Sequence, residues 1–244
     1  MIYVMSDIHG YYSRYKSIMR QIKLKPSDHL YVLGDCIDRN PDGLKILKEL
    51  YYRKNATVLL GNHEHMMLEA LTKTHPYNEY RHRWYRNGGE ITHKRLRYYD
   101  QDEILNIIRS LPVNVDITCN GVNYLLVHGG PIGYKPKYED ETFDSVWKRL
   151  DRFAKLPGGK TVIFGHTPTA RYQVAYPMRI YHGENRMIGL DCGCAYFDGR
   201  LACLRLDDMK EFYSESDWEA DDLWLKKEMI QRQAELYENG EEEC

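Results

Sequence analysis

Asp7-Ile8-His9-Gly10, Gly34-Asp35-Cys36-Ile37-Asp38-Arg39 and Gly61-Asn62-His63-Glu64 each follow an apolar run of strand length, namely Ile2 to Met5, Leu30 to Leu33 and Thr57 to Leu60. Each motif therefore sits where a strand ends and its loop begins. Between the runs, Tyr15, Ile18, Met19 and Ile22, and then Leu44, Leu47, Leu50 and Tyr51, recur at helical spacing, which predicts a βαβαβα start with parallel strands. Loops that follow parallel strands share one sheet edge, and that edge is where ligands bind. Two Asp, two His and an Asn arriving there together make a candidate metal site, with Arg39 suited to an oxyanion.

Working outward, His63 to Thr72 predicts a third helix that opens directly after the third motif. From His75 to Asp100 the periodicity breaks down into a Tyr-, Arg- and His-rich stretch around Asn87-Gly88-Gly89, the profile of a cap or lid inserted over the sheet edge. Ile104, Leu105, Ile108 and Leu111 mark a helix that Pro112 ends. Beyond it the pattern turns to β. Val113 to Cys119 and Val122 to Val127 flank Asn120-Gly121, a strong hairpin signal. Further strands are predicted at Thr161 to Phe164, Arg179 to Tyr181, Met187 to Leu190 and Leu201 to Leu206, with Asp198-Gly199 turning the last pair.

A first half of βα units and a second half of strands predicts an α/β fold, a two-sheet β-sandwich flanked by helices with a helical or loop cap insertion at about 75–111. The main domain is expected to span 1–207. Residues 208–244 are expected to form a C-terminal helix from Ser216 or Asp217 to about Tyr237, with an acidic tail.

Composition narrows the function classes. The 244 residues are 43% hydrophobic, enough for a buried core. Lys plus Arg number 34 against 36 Asp plus Glu, so net charge calls for neither a nucleic-acid nor a membrane partner. The first apolar run is too short for a signal peptide and no stretch approaches a membrane span, so a cytoplasmic protein is expected. The six cysteines form no zinc-type Cys-x-x-Cys pairs, and reduced thiols are expected, including Cys192 and Cys194 in Cys192-Gly193-Cys194.

The second half adds two strand-end histidines, in Leu125-Leu126-Val127-His128-Gly129-Gly130 and Val162-Ile163-Phe164-Gly165-His166-Thr167. The candidate ligands are then Asp7, His9, Asp35, Asn62, His128 and His166. Oxygen and imidazole donors without thiolate favour Mn²⁺, Fe or Zn²⁺ over a Cys-type structural zinc. A carboxylate able to bridge suits two metals about 3.5 Å apart, and Asp35, from the middle motif, is the natural bridge.

In order and content these five motifs resemble the calcineurin-like metallophosphoesterases, specifically the branch containing the phosphoprotein (Ser/Thr) phosphatases. Met66-Met67 and Asn87-Gly88-Gly89 resemble the small bacterial and phage members. The resemblance implies that Asp7, His9 and Asp35 hold one metal, that Asp35, Asn62, His128 and His166 hold the other, and that a hydroxide bridging the two attacks phosphorus. It further implies that His63 is the general acid, oriented by Asp38, and that Arg39 clamps the phosphoryl oxygens. Arg149, in Trp147-Lys148-Arg149, is the choice for a second clamp, with Arg152 as the alternative. Ser6 stands where the family usually has Gly, Asn40 where it has Gly, and Cys192-Gly193-Cys194 where small bacterial members carry Thr-Gly-Ala. The implied activity is a metal-dependent phosphomonoesterase of the Ser/Thr protein phosphatase type. Dinucleoside polyphosphate hydrolysis is the alternative within the same fold, and a noncatalytic phosphate-binding scaffold the alternative outside enzymes.

Overall fold

A computed structural model of the chain describes residues 1–75, 77–156 and 158–215. Two five-stranded sheets face each other. The first runs β10-β9-β1-β2-β3, comprising Lys210–Tyr213, Ala202–Arg205, Ile2–Met5, His29–Val32 and Ala56–Val58. The second runs β4-β5-β6-β8-β7, comprising Asn114–Cys119, Val122–Val127, Thr161–Phe164, Met187–Gly189 and Tyr181–Gly183. The strands β1, β2 and β3 are parallel, as are β5, β6 and β8; β10, β4 and β7 are antiparallel edge strands, and β3 is a parallel edge. Both parallel sets point their C-terminal ends toward the same cleft, so motifs from both halves of the chain meet there.

Alternation explains the layers. Val4, Leu33, Leu59, Leu126, Ile163, Ile188 and Leu204 are buried between the sheets. On the other face of the first sheet, Tyr3, Met5, Leu30 and Val32 pack beneath helices. These are α1 (Tyr12–Ile22), α2 (Gly43–Tyr51) and α3 (Asn62–Thr72), with α6 (Gln101–Ser110) further along the chain. Each turns its apolar stripe inward, as Tyr15, Ile18 and Ile22 of α1 show. The Asp100 carboxylate caps α6 by accepting from the N–H groups of Asp102 and Glu103. Asn120 and Gly121 take φ of 48° and 77°, the left-handed pair that a two-residue β4–β5 hairpin requires.

The structure makes two expectations more definite and changes a third. The stretch after His75, expected as a helical or loop cap, is helical. It forms α4 (Glu79–Arg86) and α5 (Glu90–Leu96), and Trp84 and Leu96 belong to the same buried cluster as the helices on the first sheet. Trp84 is the one fully buried residue of α4, with Tyr80 and Tyr85 partly buried against the same cluster. The first sheet also continues past residue 207. Met209, at φ 57°, turns the chain into β10, which pairs with β9 and extends the first sheet to Tyr213. Finally, Asp198-Gly199 does not join a hairpin, because β8 and β9 lie in different sheets. The expected helix from residue 216 and the acidic tail lie outside the described residues. Among the described residues, no helix is long and apolar enough to cross a membrane.

Candidate metal and phosphoryl-transfer site

The parallel ladders continue past the strand ends into the motifs. The N–H groups of Asp7, His9 and Gly10 donate to the carbonyls of Gly34, Asp35 and Cys36, and that of Gly165 donates to the carbonyl of His128. This rigid backing lets the loops hold conformations side chains normally avoid. Among the described residues, twelve that are not glycine take positive φ, and six of them are Asp7, His9, Asp35, Asp38, Arg39 and His166. Strain of this kind, roughly 1–3 kcal/mol per residue, persists where the surroundings over-determine it, commonly at functional sites.

All six candidate ligands are at most 8% exposed, and they stitch the two sheets together. His128 Nδ1 donates to the Leu33 carbonyl at 2.7 Å, which directs Nε2 toward Asn62 Oδ1 at 2.8 Å and Asp35 Oδ1 at 3.4 Å. His166 Nδ1 lies 3.0 Å from the same Asn62 oxygen, and its backbone N–H donates to the Asp7 carboxylate at 3.1 Å. His9 Nδ1 donates to the Ile37 carbonyl at 3.2 Å, leaving Nε2 3.7 Å from Asp35 Oδ2. Carbonyl-anchored imidazoles of this kind have their tautomer set and a lone pair aimed inward. Glu64 is fully buried and accepts from the N–H groups of Asp35, Cys36, Ile37 and Gly61, which ties the second motif to the third.

The electrostatics suit a cation. Burial drives His166 well below the ordinary imidazole range, with the Arg149 guanidinium adding to the effect, and burial drives His9 down likewise, with help from Arg39. Both rings are therefore neutral donors. Burial works against ionisation of Asp35, but the His128 and His63 rings overcome it and hold this carboxyl well below its ordinary range. For His128, burial opposes the charge, yet Asp35 raises the ring to about 9. Burial pushes Asp7 well above its ordinary range, and the nearby Asp191 carboxylate pushes it further. Asp191, two residues beyond β8, obeys the same strand-end rule that singled out the other ligands, although the sequence reading gave it no role.

Two trios each bring one donor atom per residue within 4.8 Å of one another: His9, Asp35 and His63, and Asp35, His128 and His166. A direct test of fit is His166 Nε2, which is buried and has no hydrogen-bond partner. Burying such an atom is costly unless something occupies its lone pair, and a metal ion does so. The residues present fit a metal pair sharing Asp35. One detail differs from the expected set, since the first trio contains His63 in place of Asp7. Both Asp7 oxygens accept from the His166 N–H, and one also accepts from Ser6 Oγ at 2.5 Å, so this carboxylate is held back among hydrogen bonds.

Beside the trios, His63 Nδ1 donates to Asp38 Oδ2 at 2.7 Å and Arg39 Nη2 lies 3.3 Å from His63 Nε2. Arg149 is exposed yet close enough for its charge to act on His166, whereas Arg152, also exposed, lies over the Phe153 ring at 4.9 Å. Cys192 and Cys194 are each 2% exposed and form no disulfide, and burial pushes the Cys192 thiol well up, which disfavours a reactive thiolate.

Residues 1–197 match the family model of the calcineurin-like phosphoesterases. The chain belongs to this family. As a calcineurin-like phosphoesterase it is a metal-dependent hydrolase of phosphoesters. Serine/threonine-protein phosphatase 2 of Escherichia coli strain K12 is 31% identical to it over 179 residues, which are 68% of this chain and 78% of the relative. The symmetrical bis(5'-nucleosyl)-tetraphosphatase of Wigglesworthia glossinidia brevipalpis is 41% identical over a shorter stretch of 73 residues, 29% of this chain and 27% of that protein. A metallophosphoesterase structure from Sphaerobacter thermophilus superimposes with a TM-score of 0.56 at 15% identity, covering 94% of each chain, which shows the fold.

Proposed function

We propose that this phosphoesterase is a phosphomonoesterase of the Ser/Thr protein phosphatase type, acting on alkyl phosphates of protein side chains. Asp7, His9 and Asp35 would hold one cation, and Asp35, Asn62, His128 and His166 the other. Such a pair, Mn²⁺ being the first candidate, lowers the pKa of water toward neutrality and offsets phosphoryl charge. Arg39 presents a planar fork for two phosphoryl oxygens, a geometry a lysine cannot match. His63 is proposed as the general acid because Asp38 holds its Nδ1, while Nε2, 3.3 Å from the Arg39 Nη2 that donates to it here, lies beside the group proposed to hold the phosphoryl oxygens. With Nδ1–H held by Asp38, Nε2 is the atom that carries the proton to the leaving oxygen.

That dyad is the observation that carries the reading. The alkoxide of serine or threonine is a poor leaving group and needs a proton, whereas splitting a phosphoanhydride releases a phosphate that needs one far less. A second reading, dinucleoside polyphosphate hydrolysis, is favoured by the 73-residue match to the tetraphosphatase and by an open hollow of about 530 Å³ lined by His75, Tyr77, Glu79, His82 and Arg86, whose aromatic rings offer stacking faces for a base. Turnover of phosphoserine and phosphothreonine peptides against diadenosine tetraphosphate, with Mn²⁺, separates the two. The expected kcat/KM is at least about tenfold higher for the peptides, about 1.4 kcal/mol in transition-state terms, and a preference for the dinucleotide overturns the assignment.

Arg149 is proposed as the second clamp. Arg149→Ala is expected to lower kcat/KM on a phosphopeptide by about 10- to 100-fold, in line with loss of a charge-assisted hydrogen bond of roughly 1.5–3 kcal/mol. Arg152→Ala is expected to change it by less than about twofold. The reverse order in steady-state kinetics would move the clamp to Arg152.

A further inference from the structure

The cap grips the acid's partner Asp38 and the clamp Arg39 directly. Asp38 N–H donates to Thr92 Oγ1 of α5 at 3.0 Å, and Arg39 N–H donates to the Gly88 carbonyl at 3.1 Å. Trp84 Nε1 of α4 donates to Asp38 Oδ2 at 2.9 Å. That oxygen is the one His63 Nδ1 uses, and it therefore takes two N–H donors while Asp38 Oδ1 is buried without a partner. Asp38 and Arg39 both take positive φ, 69° and 64°, so the backbone between them leans on these contacts.

The indole itself is immobilised. Trp84 is 0% exposed, and the Tyr85 and His93 rings lie 5.9 and 5.7 Å from it. A Cβ at Gly89 would come 2.2 Å from Nε1, so the chain leaves only the space of a hydrogen there and the ring cannot swing that way. A fully buried indole N–H needs an acceptor, and the one this fold gives it is the same carboxylate oxygen that serves His63.

We propose that Trp84 is a positioning residue of the proton-transfer dyad: its indole N–H locks the Asp38 carboxylate plane so that Oδ2 faces His63 Nδ1 and Nε2 points at the leaving oxygen. This rests on the reading of His63 as the general acid. The cap is then a fixed part of the catalytic apparatus. Its action is specific to one step, because an acid matters for an alkoxide leaving group and hardly at all for one that departs as a stable anion.

Leaving-group dependence tests this. Trp84→Phe is expected to lower kcat on a phosphoserine peptide about tenfold with KM and bound metal unchanged, and to lower kcat on 2,4-dinitrophenyl phosphate by less than about twofold. Placing benzothienylalanine at position 84, which keeps the bicyclic shape and loses only the N–H, should give the same split if the phenylalanine variant folds poorly. In a His63→Asn background, Trp84→Phe should add little further loss on the peptide, since residues acting through one group are not additive. Equal losses on both substrates, or no loss on either, overturn the role of Trp84. If His63→Asn itself shows no leaving-group split, the acid reading fails, whereas a split with His63→Asn and none at position 84 removes the Trp84 proposal alone.

Discussion

Asp35→Asn is expected to lower kcat by about 10³-fold or more and to leave the purified protein with less metal per chain. Asp35 is the side chain common to both donor trios, and its oxygens lie 3.4 Å from His128 Nε2 and 3.7 Å from His9 Nε2. Two cations close together need a bridging anion to offset their repulsion, and the neutral amide supplies none. Lewis-acid stabilisation of several kcal/mol is lost with the cations, and each ~1.4 kcal/mol is tenfold in rate. Elemental analysis beside single-substrate kinetics checks the result. Full metal content together with undiminished turnover would remove Asp35 from the bridging position.

His63→Asn is expected to lower kcat on alkyl phosphates by about 10²- to 10⁴-fold, the usual contribution of a positioned acid, with KM within a few-fold and metal content retained. Asparagine keeps a polar side chain beside Asp38 but has no transferable proton at the position of Nε2. The substitution also decides between two readings of the same ring. His63 Nε2 is 3.9 Å from Asp35 Oδ2, close enough to complete a donor trio with His9, and its backbone N–H donates to Asp35 Oδ1 at 3.1 Å. A variant that loses metal and turnover together would make His63 a ligand. One that keeps its metal and loses turnover selectively on poor leaving groups supports the acid.

The strand ends were legible because short apolar runs followed at once by Asp, Asn or His have few other readings, and β1, β5 and β6 fall within a residue of the expected limits. The cap's place in the chain was legible, but its individual helices were not. Glu79–Arg86 reads Glu-Tyr-Arg-His-Arg-Trp-Tyr-Arg, and its apolar face is only Tyr80, Trp84 and Tyr85, too short a stripe to mark a helix by spacing. Likewise β10 is four residues of Lys-Glu-Phe-Tyr with a single buried side chain, and only pairing with β9 makes it a strand. Asp191 follows its strand as the ligands follow theirs, but a lone acid in Asp191-Cys192-Gly193-Cys194 carries no motif of its own.

By itself the sequence determined the donor inventory and its order along the chain: two carboxylates, an imidazole and an amide after the early strands, two imidazoles after the later ones, and an Asp-Arg pair within the second motif. These are properties of neighbouring residues, which local chemistry encodes. Tertiary structure alone decided which of them meet. His128 reaches the Leu33 carbonyl across 95 residues, His166 reaches Asn62 across 104, and Trp84 reaches Asp38 across 46. Such meetings follow from how two sheets and a helical cap pack their apolar faces, and packing is a property of the whole core that no local spacing records.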